Sequence, residues 1–173
     1  SGGGTNLQAI IDRSAAGKLP HAELALVVSS RNNAGGLDRA DRAGIKHVYI
    51  GKENFEQDLI KLLDEHEIDI IVLAGFLKIL SSDFVSRYPD RIINVHPSLI
   101  PSFCGDGFYG LRVHEAALSY GVKVTGATVH FVNEVTDGGK IIAQHAVDVK
   151  DGDTPEILQR RVMEEAEWKL LPA

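Results

Sequence analysis

Leu24-Ala25-Leu26-Val27-Val28, followed by Ser29-Ser30, is the first of several short apolar runs rich in β-branched residues. Segments whose apolar residues are spaced for helices lie on both sides of it. Such runs and helical segments alternate from Leu7 to His96. This pattern predicts crossover connections and therefore a parallel sheet covered by helices, with ligands bound beyond the carboxyl ends of its strands. The predicted elements are helices starting at Leu7 and over 35–43, 55–63 and 81–87, and strands over 24–28, 46–50, 69–74 and 91–95.

The pattern changes after Val95. A long loop over 97–109 precedes a helix over 111–120 and two β-rich segments, 123–132 and 140–149, joined by the acidic, glycine-ended turn 133–139. Thr154 and Pro155 are suited to cap and open a last helix. We therefore predict an α/β fold with a mostly parallel sheet, helices on both of its faces, and a C-terminal β-hairpin-like pair followed by a helix.

Composition limits the function classes. The 173 residues contain 44% hydrophobic and 24% charged residues, typical of one globular domain. The net charge of −6 argues against binding nucleic acid or a membrane surface through bulk charge. The single cysteine, Cys104, excludes an intramolecular disulfide and favours a reducing cytoplasm. The longest apolar run, residues 70–77, is far short of the ~18 residues of a membrane helix, and no secretory signal is visible.

A glycine run, Ser1-Gly2-Gly3-Gly4-Thr5-Asn6, directly precedes the first helix. Free backbone N–H groups and the positive end of a helix dipole favour an anion such as phosphate at this position. A flexible tight turn is the alternative interpretation. The run is neither a Walker loop nor a dinucleotide-binding fingerprint, because the residues and spacings that define those motifs are missing.

Asn94 and His96 close the predicted strand 91–95 and, by two-residue alternation, project to the same side. A carboxamide N–H and a protonated imidazole could together stabilise an oxyanion that forms when a nucleophile attacks a carbonyl. Alternatively, both side chains could hold the following loop in place. If the turn containing Asp137 folds back over His96, its carboxylate would raise the imidazole pKa and keep it cationic.

Other candidates are weaker. We expect His114 to lie on a solvated helix face, whereas His130 could pair with acids or line the site. Cys104 could act as a nucleophile activated by His96. No histidine spacing or cysteine cluster indicates a metal site.

Three motifs together resemble one family. Asn94-Val95-His96-Pro97-Ser98-Leu99-Ile100-Pro101 with Asp137-Gly138-Gly139 is similar to the folate-dependent formyltransferases, and Gly4-Thr5-Asn6-Leu7-Gln8 narrows the likeness to their glycinamide ribonucleotide branch in purine biosynthesis. The likeness covers nearly the whole chain. It implies a single Rossmann-like formyltransferase domain over 1–173, lacking its first strand and its C-terminal end. It also implies 10-formyltetrahydrofolate as co-substrate, glycinamide ribonucleotide as acceptor, and no metal.

The resemblance also implies residue roles. Asn94, His96 and Asp137 match the catalytic trio, while Gly4, Thr5 and Asn6 match the positions that meet the substrate phosphate. Glu167 resembles a glutamate that approaches the substrate amine, although Glu164 and Glu165 compete for that position. Seven residues match the pocket for the pterin of the folate: Leu73, Phe76, Leu77, Lys78, Ile79, Leu80 and Val85.

Three alternatives remain open. A formyltetrahydrofolate hydrolase shares the Asn, His and Asp, but its family carries an extra N-terminal domain and a His-Cys opening to the first helix. A methionyl-tRNA formyltransferase would need a further C-terminal domain and a basic face. The third is a catalytically silent module that binds nucleotide or folate.

Overall fold

Helices and strands alternate through the first half of the chain, as its apolar pattern predicts. The computed structural model describes residues 3–173, and the chain divides into two compact units, one ending at Leu80 and one beginning at Ser81. The elements of the first unit are α1 (Thr5–Ala15), β1 (Val27–Ser29), α2 (Gly35–Arg42), β2 (His47–Tyr49), α3 (Phe55–Glu65) and β3 (Ile71–Leu73).

The strands of the first unit are shorter than predicted. β1 and β2 pair in parallel, with Val28 opposite Val48. β1 begins only at Val27 and is half-buried. In β3, Val72 points to the side opposite its two neighbours and is 40% exposed, so this strand is less buried than its composition predicts.

Two helices supply much of the buried surface of the first unit. α1 contributes Ile10 and Ile11, and α3 contributes Phe55, Leu59 and Leu63 at spacings of four residues. The four-residue spacing in α3 gives that helix one apolar stripe. The apolar periodicity of α3 therefore predicts correctly which of its faces is buried.

The second unit is built on an antiparallel sheet. β4 (Ile92–His96) pairs with β5 (Val124–Phe131), and β5 pairs with β6 (Ile141–Asp148), which confirms the predicted hairpin-like pair. Helices α5 (Leu111–Tyr120) and α6 (Pro155–Val162) pack against this sheet around one apolar cluster that includes Val95, Val129 and Leu158. The elements of the second unit are α4 (Ser82–Arg87), β4 (Ile92–His96), α5 (Leu111–Tyr120), β5 (Val124–Phe131), β6 (Ile141–Asp148), α6 (Pro155–Val162) and α7 (Trp168–Leu170).

The last helix begins as predicted but continues irregularly. The Thr154 hydroxyl accepts a hydrogen bond from the backbone N–H of Ile157, and Pro155 occupies the first turn. Between α6 and α7 the chain forms a π-helical turn, Met163–Glu167, which the sequence pattern did not predict. Such turns are rare and often lie at functional sites. The α/β class with a C-terminal hairpin-like pair and helix is confirmed.

Candidate active site

The end of β4 carries the first two candidate residues. Asn94 and His96 alternate with buried Val95, so their side chains leave the same face of the strand. In the antiparallel pairing with β5, His130 lies opposite Asn94 and Thr128 lies opposite His96. Side chains at opposed positions are close enough to interact directly.

Asn94 is held by His130. The Asn94 Nδ2 donates to His130 Nε2 at 3.2 Å, and the other ring nitrogen of His130, Nδ1, donates to the carbonyl of Phe131 at 2.8 Å. A neutral imidazole has one donor and one acceptor nitrogen, and this pattern uses both. One N–H of the Asn94 carboxamide is thereby engaged, and the second remains to meet a ligand oxygen.

The turn after β5 brings in Asp137. Asp137 has a φ of 54°, a left-handed conformation that aspartate tolerates better than most residues. Behind it, a Cβ on Gly139 would lie 1.7 Å from the carbonyl oxygen of Phe131, so only glycine fits where the chain enters β6. The sequence Asp137-Gly138-Gly139 therefore has a backbone reason in addition to any chemical one.

Asp137 contacts both histidines. Its Oδ2 lies 3.4 Å from His96 Nδ1 and its Oδ1 lies 3.6 Å from His130 Nε2. The backbone N–H of Gly105 also donates to Oδ2, at 2.9 Å. The three predicted catalytic side chains are thus gathered into one cluster with His130, and Asp137 is only 10% exposed.

Burial dominates the protonation of His96. Desolvation lowers the pKa of His96 below its ordinary value, although the Asp137 carboxylate and the Phe103 carbonyl, which accepts from Nε2 at 2.9 Å, both raise it. The expectation that the carboxylate keeps this imidazole cationic is therefore wrong, because burial has the larger effect. Burial favours the protonated form of Asp137, but the interaction with His130, the hydrogen bond from the Gly105 N–H and the nearby His96 outweigh it and hold the pKa of Asp137 below its usual range.

His114 is not on a solvated face. It is 1% exposed on α5, and neither ring nitrogen has a hydrogen-bond partner among residues 3–173. Burial, together with the charge of His96, lowers the pKa of His114 to about 4. The prediction of a solvated histidine is wrong because α5 buries His114 together with Val113 and Ala117.

Cys104 is a poor nucleophile in this environment. Its Sγ donates to the carbonyl of Pro101 at 3.3 Å. Burial, with the nearby Asp137 carboxylate, raises the pKa of the Cys104 thiol. Since the thiolate is the reactive form, this environment opposes covalent catalysis.

The glycine segment forms the start of α1. Gly4 is the N-cap, with a φ of 74°, and a Cβ there would lie 2.8 Å from Gly36 Cα. Thr5 and Asn6 occupy the first turn, where the positive end of the helix dipole favours an anion. The predicted anion-binding residues therefore have suitable geometry, while Ser1 and Gly2 lie outside the described residues.

Six of the predicted pterin-binding residues follow β3 or end it. Phe76 stacks on Phe55 with ring centroids 5.8 Å apart, and Lys78 Nζ lies 4.3 Å from the centroid of the Phe55 ring. Leu77 and Ile79 are 57% and 79% exposed, which leaves apolar surface for a ligand. Of the remaining predicted residues, Leu73 and Leu80 are half-buried in the first unit, and Val85 is buried in α4 of the second.

Among the three competing glutamates, only Glu167 is buried. It is 7% exposed, at the end of the π-helical turn, whereas Glu164 and Glu165 face solvent. Buried carboxylates normally have a partner, and Glu167 does interact with another group. Burial therefore distinguishes Glu167 from the other two, and its contact with the substrate amine stays a prediction.

Sequence reasoning missed the groups that orient the cluster. The sequence indicated that His130 could pair with an acid, and its contact with Asp137 confirms this, but its bond to Asn94 was missed, although the antiparallel register of β4 and β5 places the two residues opposite each other. The backbone carbonyl of Phe103 and the backbone N–H of Gly105 leave no signal in the side-chain pattern. Thr128 was also missed. Its hydroxyl donates to the carbonyl of Ser98 at 2.7 Å and fixes the start of the loop that carries these groups.

Within residues 3–173, no group of three or more His, Cys, Asp or Glu side chains is arranged to hold a metal ion. None of the described helices combines the length and apolar character needed to cross a membrane.

Comparison with known proteins identifies the family. The family model described as Formyl transferase matches residues 1–173. The human trifunctional purine biosynthetic protein adenosine-3 is 45% identical over 181 residues, which is 100% of this chain but 17% of that protein. The phosphoribosylglycinamide formyltransferase of Escherichia coli (strain K12) is 42% identical over 168 residues, covering 94% of this chain and 76% of that enzyme.

A solved structure gives the same answer for the fold. The crystal structure of glycinamide ribonucleotide transformylase 1 from Symbiobacterium toebii matches with a TM-score of 0.91 and 41% identity, over 99% of this chain and 81% of that one. The Rossmann-like α/β fold is thereby confirmed. This chain spans less than a fifth of the human trifunctional relative and about four fifths of the Escherichia coli and Symbiobacterium toebii relatives. The chain belongs to the formyl transferase family.

Proposed function

We propose that this protein transfers the formyl group of 10-formyltetrahydrofolate to the primary amine of glycinamide ribonucleotide, a step of purine biosynthesis. The observation that carries the proposal is the cluster in which Asp137 contacts His96 and His130 while His130 holds Asn94. The names of the Escherichia coli and Symbiobacterium toebii relatives support this choice of acceptor.

The reaction needs no enzyme-bound formyl group. The amine nitrogen attacks the formyl carbon, and a tetrahedral intermediate forms with negative charge on the former carbonyl oxygen. The second N–H of the Asn94 carboxamide donates to that oxygen. The bond from the formyl carbon to the folate N10 then breaks, and Asp137 carries a proton from the attacking amine to the departing nitrogen.

The lowered pKa of His96 fits a role in stabilising the oxyanion of the tetrahedral intermediate. Burial disfavours the imidazolium, and an oxyanion nearby would offset that cost. A cationic His96 is therefore favoured more strongly once negative charge has developed on the substrate. Only an interaction that is stronger in the transition state than in the ground state accelerates the chemical step.

The other assignments follow the family resemblance. Gly4, Thr5 and Asn6 would bind the phosphate of glycinamide ribonucleotide, and Glu167 would approach its amine. The segment from Leu73 to Leu80, with Val85, would bind the pterin. We further propose that residues 1–173 act as one formyltransferase domain in the cytoplasm, on small molecules and without nucleic acid.

One experiment tests the proposal against its alternatives. The purified protein is mixed with 10-formyltetrahydrofolate, with and without glycinamide ribonucleotide, and the folate absorbance is followed. Turnover only in the presence of the amine supports transfer, turnover without it identifies a hydrolase, and no turnover in either mixture overturns the proposal. Asp137→Asn should abolish most turnover, whereas the matched variant Asp151→Asn, which changes a fully exposed carboxylate, should keep it.

A further inference from the structure

We propose that Arg39 on α2 is a positioning residue for the phosphate of the acceptor substrate, because it fixes the peptide that precedes the anion-binding turn. This inference rests on the proposed function. It concerns a side chain that neither the sequence motifs nor the catalytic cluster includes.

Arg39 joins α2 to the beginning of α1. Its Nε donates to the carbonyl of Gly3 at 2.7 Å, and its Nη1 donates to Gln8 Oε1 at 2.9 Å. The Gln8 amide is itself oriented, because its Nε2 donates to Asp12 Oδ1 at 2.7 Å. The guanidinium is therefore held by two acceptors, one on each side of Gly4.

The bond to Gly3 determines where an N–H group points. The carbonyl of Gly3 and the N–H of Gly4 belong to one planar trans peptide and point in opposite directions. Since the carbonyl faces Arg39, the Gly4 N–H faces away from α2. It thus points to the side on which an anion would bind at the start of α1.

This peptide needs a fixed orientation because glycine lies on both sides of it. Glycine has few steric barriers in φ and ψ, so the Gly3–Gly4 peptide can rotate unless something holds it. A rotated peptide would direct the Gly3 carbonyl oxygen, rather than an N–H, toward the bound phosphate. The negative end of that dipole would oppose binding.

The two helices also approach each other closely at this point. A Cβ on Gly35 would lie 3.0 Å from the Gly3 oxygen, and a Cβ on Gly4 would lie 2.9 Å from Gly36 N. The first turns of α1 and α2 therefore meet at the glycine segment, and their positive dipole ends add to the charge of Arg39. In a chain with a net charge of −6, this is a local concentration of positive potential suited to a phosphate dianion.

The test is steady-state kinetics on the parent protein, Arg39→Gln, Arg39→Lys and the matched control Arg42→Gln. Arg42 lies on the same helix, is exposed, and carries the same charge. For Arg39→Gln we expect the KM for glycinamide ribonucleotide to rise about tenfold, the usual effect of losing a charged hydrogen bond. The kcat and the KM for 10-formyltetrahydrofolate should stay within about twofold, since the chemical step is untouched.

Arg39→Lys should recover part of the loss, because it keeps the charge but not the guanidinium geometry. An unchanged KM for glycinamide ribonucleotide in Arg39→Gln would overturn the inference, and so would an equal rise in Arg42→Gln or a fall of kcat together with the melting temperature.

If the parent shows no turnover at all, the proposed function fails separately. Calorimetric titration with inorganic phosphate then decides about Arg39. Binding to the parent that is weakened in Arg39→Gln supports the inference, and equal affinity or no binding to the parent overturns it.

Discussion

The imidazole of His114, which is buried and has no hydrogen-bond partner among residues 3–173, should make the protein sensitive to mild acid. In the folded chain the pKa of His114 is about 4, against 6.5 for a solvated histidine. Between those values the unfolded chain binds a proton that the folded chain does not, so stability falls as the pH falls through this window. Above pH 6.5 both states hold a neutral ring, and the effect is absent.

The expected size follows from the two pKa values. Moving from pH 7.5 to pH 5 should cost about 2 kcal/mol of unfolding free energy through His114 alone. This is a substantial part of the ~5–15 kcal/mol by which domains are usually stable. Other groups titrate over the same interval, but they do so in the parent and in a variant alike.

The measurement is urea unfolding at pH 7.5 and pH 5 for the parent, His114→Leu and His114→Gln, with linear extrapolation to water. Both variants should lose less stability than the parent between the two pH values, by about 2 kcal/mol. Glutamine serves as the control for polarity, because it leaves a buried polar group but cannot take up the proton. A pH dependence equal to that of the parent in both variants would refute the assignment of a strongly lowered pKa.

Further predictions concern the site itself. Asn94→Ala, His96→Ala and Asp137→Asn should each lower kcat by about 10²–10³ or more with the fold intact by circular dichroism, and near-parent turnover would remove that residue from the mechanism. Gly4→Ala should raise the KM for glycinamide ribonucleotide and lower the melting temperature, since its Cβ would meet the backbone of α2; unchanged values would contradict the described packing. Cys104→Ser should keep kcat within about threefold because the thiol serves no covalent step, and a loss of tenfold or more in kcat would argue otherwise.

Periodic apolar patterns predicted the helices well. α5 begins at Leu111 and ends at Tyr120, as predicted, because Gly110 and Gly121 delimit an apolar spacing of three and four residues. The strands were less predictable. β1 starts three residues later than its apolar run, because nothing in Leu24-Ala25-Leu26 marks where pairing with β2 begins.

The candidate site was predictable where side-chain identity determines it. Asn94 and His96 could be placed on one face by alternation alone, whereas Asp137 was a candidate only if its turn folded back over His96 and joined the other two through the family resemblance. The protonation of His96 could not be predicted in the same way. The sequence suggests a nearby carboxylate, but only the structure shows that burial has the larger effect.

The remaining contacts involve backbone atoms, and this explains why the sequence pattern did not predict them. The Phe103 carbonyl orients His96, the Gly105 N–H orients Asp137, and the Gly3 carbonyl receives Arg39. Any residue that can adopt the local φ and ψ provides the same carbonyl, and any such residue except proline provides the same N–H. The path of the chain through residues 103–105 is therefore more restricted than the identity of the side chain at Cys104, so a one-residue deletion there should damage catalysis more than substitution of that cysteine.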